Sequence, residues 1–315
     1  MHRLIGAGLL AFALLSPLAA VAHGIVGMRF FPATLAVDDP FVADEAALPT
    51  VSTHTESASA DGPKTRESEI EYEFAKRLTP HLGISVGQAY VFRDPAGKGG
   101  ATQGFSNLGI GARYQFLTAP EHEAVASFDL GFELGGTGAR QVEADRFSAV
   151  TPALLFGKGF GDLPEALAYL RPLAVTGMLG GTIPFSRKTR SVTIDEATGD
   201  VDTEIARHPS TIVYGLTLQY SLAYLSANVR DVGLSAFARR LVPLVELAFE
   251  TPVDAPGEVT TGTVNPGLLW TGQKIQLGLE AIIPVNTASG ADVGVRAQLH
   301  LYLDDLISNR PLFGG

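Results

Sequence analysis

The chain has 315 residues, no cysteine and a formal net charge of −10. Disulfides and cysteine-linked lipid are therefore excluded, and so acidic a chain lacks the basic footprint that nucleic acid requires. Its 35 glycines and modest 18% of charged residues suit strands that alternate small or charged positions with large apolar ones, in a membrane barrel or in a soluble two-sheet sandwich.

Arg3, an apolar stretch from Leu4 to Leu15, a break at Ser16-Pro17 and the small residues Ala20-Val21-Ala22 read as a secretory signal peptide over residues 1–22. The stretch is too short for a spanning helix, and no later stretch is long and apolar enough for one. Cleavage after Ala22 exposes His23, whose α-amino and imidazole nitrogens together suit a transition metal such as copper. A second ligand would have to come from His54, His81, His122, His208 or His300, none of which has metal spacing with another. No metal site and no cofactor are expected. Residues 23–48 are apolar enough to pack and too irregular to span, so they read as a plug in a lumen or as a periplasmic extension.

From there the chain shows a period of two, which marks a strand with different environments on its two faces. About twelve strands are expected, over 49–57, 68–78, 82–92, 105–116, 122–135, 147–159, 167–182, 210–224, 241–251, 262–270, 274–283 and 292–303. In 68–78, Ile70, Tyr72 and Phe74 oppose Glu69, Glu71, Glu73 and Arg77. In 274–283, Ile275, Leu277, Leu279 and Ala281 oppose Lys274, Gln276, Gly278 and Glu280. Pro152 and Pro172 blur the sixth and seventh strands.

Connections also sort by parity. Odd-numbered ones include 93–104, 137–146 and the long charged 183–209, which contains an Ala197-Thr198-Gly199-Asp200 turn and suggests a hairpin extension. Even-numbered ones are mostly tight, except 228–240, which reads as a short helix. Short turns on one side and long loops on the other, with both termini on the short side, are the asymmetry of an outer-membrane barrel. Tyr90, Phe92, Tyr114, Phe116, Tyr214, Tyr220, Tyr224, Trp270 and Tyr302 fall near strand ends, where interfacial girdles lie. Tyr302 alone is on the polar phase.

Three segments carry a family resemblance. Gly104 to Phe116, Pro152 to Asp162, and Val264-Asn265-Pro266-Gly267-Leu268-Leu269-Trp270 with Glu280 to Asn286 resemble the transporter-like outer-membrane barrels associated with meta-pathway phenol degradation. The resemblance covers residues 65–305. It implies an outer-membrane location and passage of small, aromatic or hydrophobic compounds, and it supplies no catalytic residues.

Taking the polar phase as inward gives a lumen lined by Glu69, Glu71, Glu73, Arg77, Arg113, Asp129, Glu133, Gln219, Glu246, Glu250, Glu280, Arg296, Gln298 and His300. Two arrangements satisfy these charges. Acids and arginines can pair and fill the barrel, or they can line a water path and set its charge preference. No nucleophile elbow and no HExxH is present. Glu121-His122-Glu123 reads as a solvated turn, and Gly97-Lys98-Gly99-Gly100 falls in a loop rather than between a strand and a helix.

The reading is an all-β, antiparallel transmembrane β-barrel at residues 49–305, after a leader at 1–22 and a plug or extension at 23–48, with a tail at 306–315. Its expected address is the outer membrane of a Gram-negative bacterium, with membrane lipid, small-molecule cargo and the outer-membrane assembly machinery as partners. The expected role is a passive pore or transporter, not an enzyme. The alternatives are a barrel hydrolase acting on lipid or peptide, and a sealed structural or interaction barrel.

Overall fold

The computed structural model describes residues 24–58, 62–97, 100–194 and 201–306. The leader, His23, the turn at 197–200 and the end of the tail lie outside them.

Twelve antiparallel strands close into a single cylinder. They are β1 (Glu45–Glu56), β2 (Thr65–Thr79), β3 (Leu82–Pro95), β4 in two pieces (Thr102–Phe105 and Leu108–Ala119), β5 (Ala124–Leu134), β6 (Ala149–Gly159), β7 (Leu173–Pro184), β8 (Thr211–Tyr220), β9 (Leu241–Pro252), β10 (Thr261–Thr271), β11 (Ile275–Pro284) and β12 (Asp292–Tyr302). Each strand pairs with its sequence neighbours, and β12 pairs with β1 to close the sheet, with Tyr302 opposite Glu45. Full closure removes the unpaired edges that hydrocarbon would not tolerate.

The alternation sets the two faces. On β11, Leu277 and Leu279 point out with 48% and 57% of their surface exposed, while Gln276 and Glu280 on either side of them are 0% and 2% exposed. The same outward phase exposes Ile84, Phe116, Leu154, Leu179, Leu216 and Val293 around the wall. An unbroken apolar exterior of this extent is unfavourable in water and is the surface a bilayer covers.

Several expected boundaries move. The first strand begins at Glu45, not at 49. The fourth is broken at Ser106-Asn107, where the Asn107 amide donates to Glu133 Oε1 at 2.7 Å and to the Asp145 carbonyl at 2.9 Å. The seventh starts at Leu173, after a 3-10 helix over Glu165–Leu170. The eighth stops at Tyr220, where Ser221 Oγ accepts the Tyr224 N–H and starts a helical stretch over Leu222–Val229. That helix lies earlier than the expected 228–240. Beyond β7 a hairpin of Lys188–Ile194 with Val201–Arg207 extends past the barrel.

The tight connections gather at the end that holds both termini, and the hairpin rises from the far end. Between them residues 24–44 turn up inside the cylinder. Gly27, at φ +63°, makes a tight turn between paired Val26 and Arg29, and a Cβ there would lie 2.2 Å from the Pro120 carbonyl oxygen. Val26, Phe31 and Phe41 pack with Val125 of β5 and Ala174 of β7 at the base. Higher up, Leu35 packs on inward-facing Val242, Leu244 and Leu269.

Candidate functional site

The centre of the lumen is built around residues 33–42. Glu246 on β9, 0% exposed, points inward and accepts the backbone N–H groups of Leu35 at 3.1 Å, Ala36, and Val37 at 3.2 Å. A carboxylate that receives three main-chain donors holds a loop tip in one place. Gln276 on β11 donates to the Ala33 carbonyl at 2.7 Å and is itself fixed by the Tyr302 hydroxyl at 2.8 Å. Ser127 on β5 donates to the Pro40 carbonyl. Arg113 on β4 donates to Asp129 at 2.8 Å and to the Asp39 carbonyl at 2.7 Å. The inner wall and the N-terminal segment thus satisfy one another's polar groups.

A second cluster holds the base. Arg29, 1% exposed, donates to Glu123 at 3.2 Å, to the Pro172 carbonyl at 2.9 Å and to the Arg171 carbonyl, and its guanidinium lies 3.8 Å from the centre of the Tyr224 ring. Burial pulls Arg29 below its ordinary pKa, and the charge of Glu123 counters that pull. Glu123 is buried, which corrects the solvated reading of Glu121-His122-Glu123 for that residue, while Glu121 and His122 are exposed. Tyr224 and Tyr302 are likewise buried rather than set in a girdle.

Twelve of the fourteen lining residues fall into four groups. Glu246 and Arg113 contact the N-terminal segment, Asp129 holds Arg113 in place, and His300 meets the junction with β1 through Glu45 at 3.2 Å. Glu280 pairs with Arg296 at 2.7 Å on the neighbouring strand. Glu69, Glu71, Glu73 and Gln298 line an open chamber, with Gln298 donating to Thr50 at 3.1 Å. Glu133 and Glu250 line the far mouth. Arg77 sits instead at the termini end, paired with Asp304 at 2.5 Å. Gln219 is buried, and neither of its amide atoms has a partner among the described residues.

The free space falls in a track of neighbouring cavities along one side. A vestibule of about 1240 Å³ at the far mouth is lined by Glu56, Glu133, Asp145, Glu250 and Glu258, with no lysine or arginine among the described residues of its wall. It shares His54, Ser289 and Gly290 with a cavity of about 180 Å³. That cavity shares Ser52, Glu69 and Arg296 with a chamber of about 270 Å³, lined also by Glu71, Glu73 and Asp38. A last space of about 80 Å³, which shares Asp38, Glu73 and Gln298 with that chamber, is lined by Phe41, Val42, Ala43, Ala46 and Ala47. The track runs along β12, β1 and β2 and stops at the N-terminal segment.

Among the described residues, His54, Glu56 and Glu67 lie close enough to share a metal ion. Arg93 already joins Glu56 at 2.6 Å and Glu67 at 2.5 Å, so the group reads as an ion-pair network. The metal candidate His23 lies outside the described residues.

No protein-family model and no curated protein matches the chain. Among solved structures it is similar to the translocator domain of the autotransporter NalP from Neisseria meningitidis (TM-score 0.47, 12% identity, 82% of this chain and 88% of that one). It is also similar to the beta domain of the Bordetella autotransporter BrkA (0.46, 14%, 83% and 100%) and to the CymD monoaromatic hydrocarbon channel (0.41, 9%, 82% and 88%). At these values the likeness assigns no function, which has to be read from the lumen itself.

Proposed function

We propose that this chain is an outer-membrane pore for small molecules, that it prefers cations, and that residues 24–44 are its plug. The observation that carries the reading is the acid-lined track, which opens at one mouth and ends on the N-terminal segment. The apolar exterior supports a membrane address, and the leader read from residues 1–22 supports export to the outer membrane of a Gram-negative bacterium. The long-loop end then faces outward and the termini face the periplasm.

The cargo class follows from the lining. A mouth walled by five carboxylates, with no lysine or arginine among its described lining residues, concentrates cations and repels anions. Glu69, Glu71 and Glu73 continue that field inward, partly offset by Arg296. A hydrophobic aromatic solute finds no apolar track along this side, so small polar cations fit better than the aromatic cargo that the family resemblance implies. The inward carboxylates are used in holding the plug or lining the track, which favours a pore over a hydrolase.

The test is conductance in planar bilayers. Wild-type protein should pass little current, and Glu246→Ala, which removes the acceptor of three plug N–H groups, should raise it. Under a salt gradient the reversal potential should show cation preference, and Glu69→Gln, Glu71→Gln and Glu73→Gln together should weaken it. A Glu246→Ala barrel that is folded yet silent would make this a sealed structural barrel. Hydrolysis of a lipid or peptide panel would make it an enzyme.

A further inference from the structure

We propose that the connection between β8 and β9 docks an anionic phospholipid through Arg239 and Arg240, on the termini side of the membrane. The inference rests on the membrane-spanning reading above. After the helical stretch ends at Val229, the chain folds one more turn: Ser235 Oγ accepts the Ala238 N–H at 3.1 Å, the Arg239 N–H reaches the Ser235 carbonyl at 2.9 Å, and the Arg240 N–H reaches the Phe237 carbonyl at 3.1 Å. That turn lays Phe237 over Trp270 of β10, with ring centres 6.0 Å apart and planes 22° from parallel. The Arg240 guanidinium lies 5.7 Å from the centre of the same indole.

The location matches the occupant. Trp270 stands at the foot of the apolar wall, directly across from outward-facing Leu277. Phe237 remains 64% exposed, so an apolar surface continues from the barrel wall onto this turn. Acyl chains covering the wall therefore end beside two exposed arginines.

The charges match as well. In an acidic chain, Arg77, Arg93, Arg113, Arg171 and Arg296 each hold a carboxylate. Arg239 reaches only the Leu234 carbonyl, at 3.3 Å, and Arg240 faces the indole. Among the described residues neither has an acidic partner. The nearby Asp231 accepts the Gly233 N–H within its own turn. Two guanidinium groups at the height of the headgroups, beside an interfacial tryptophan, have the donor chemistry for a phosphodiester with net negative charge.

Trp270 is the single tryptophan of the chain, so it reports on this patch alone. The full chain is folded into phosphatidylcholine vesicles containing a minority of phosphatidylglycerol, with bromines on the acyl chains of one lipid or the other, and quenching of Trp270 is recorded. Brominated phosphatidylglycerol should quench beyond its share of the mixture, by on the order of fivefold per arginine. Arg239→Gln with Arg240→Gln should return quenching to that share, with heat-modifiable gel mobility confirming the fold. Added salt should reduce the excess in the wild type. Quenching in proportion to composition in the wild type would overturn the lipid preference and leave the barrel in place. Absence of quenching by either lipid would overturn the proposal together with the membrane reading.

Discussion

The Arg29 guanidinium lies 3.2 Å from the Glu123 carboxylate, with 1% and 5% of the two side chains exposed. One residue belongs to the N-terminal segment and the other to the turn before β5, so the contact ties the base of the segment to the mouth of the barrel. Removing one partner of a buried pair leaves an unpaired charge and costs about 3–5 kcal/mol. Glu123→Ala should loosen residues 24–33, and a double replacement by methionine should recover much of the loss. Limited proteolysis of the folded barrel, with cut sites located by mass spectrometry, checks this. Unchanged resistance of the segment in Glu123→Ala would count against the tie.

The tip of the segment depends on space as well as on hydrogen bonds. A Cβ added at Gly215 would fall 2.7 Å from a Val37 methyl, and one at Gly278 would fall 2.7 Å from a Leu35 methyl. Gly215→Val leaves every polar contact of Glu246 chemically available yet fills the place of Val37. The expected result is raised single-channel current from a barrel with normal heat-modifiable mobility. Current at the wild-type level would show that the tip does not control the track.

Asp39 adds a dependence on pH. Burial, and then the charge of Glu45, raise its carboxyl from 3.8 to about 7, against the pull of Arg113. The docked segment therefore binds the proton better than a released one, so docking is favoured at low pH. It weakens as pH rises out of the ordinary aspartate range and levels off above about 7. Arg113, Asp129, Glu73, Glu45 and His300 line the same space and contribute to the field. Open fraction should grow between pH 5 and pH 8 in single-channel records, and Asp39→Asn should flatten part of the rise. An open fraction that falls with pH would reverse the sign and refute the idea.

The exterior makes its own prediction. Leu279 is 57% exposed beside Glu280 at 2%. An arginine on the lipid face near the bilayer midplane costs about 2–4 kcal/mol. Leu279→Arg should lower stability by that order in denaturant titrations of folding into lipid vesicles. A chain that folds without lipid and tolerates this change would not be a membrane barrel.

Much of the wall was legible from residues because a period of two reports that two faces differ. The Ile275–Pro284 strand shows this most cleanly, with Leu277 and Leu279 out and Gln276 and Glu280 in. The period does not report what fills the inside. Leu241-Val242-Pro243-Leu244-Val245 lacks alternation because the inward Val242 and Leu244 meet Leu35, so both faces are apolar for different reasons. Glu123 looked solvated because its partner, Arg29, is remote in sequence and joins it only after folding. The break in β4 turns on Asn107 side-chain bonds to Glu133 and Asp145, which no local pattern announces.

The seam has a consequence for biogenesis. β1 closes the ring by pairing with β12, and the Leu303 N–H reaches the Asp44 carbonyl at 2.9 Å, where the lumen segment passes directly into that same strand. Wall-first completion would require pushing the loop of residues 33–42 into a finished cylinder through its base. An order in which the sheet wraps around a segment already in position avoids that step, and no ring can form until the last-made strand has crossed to meet the first.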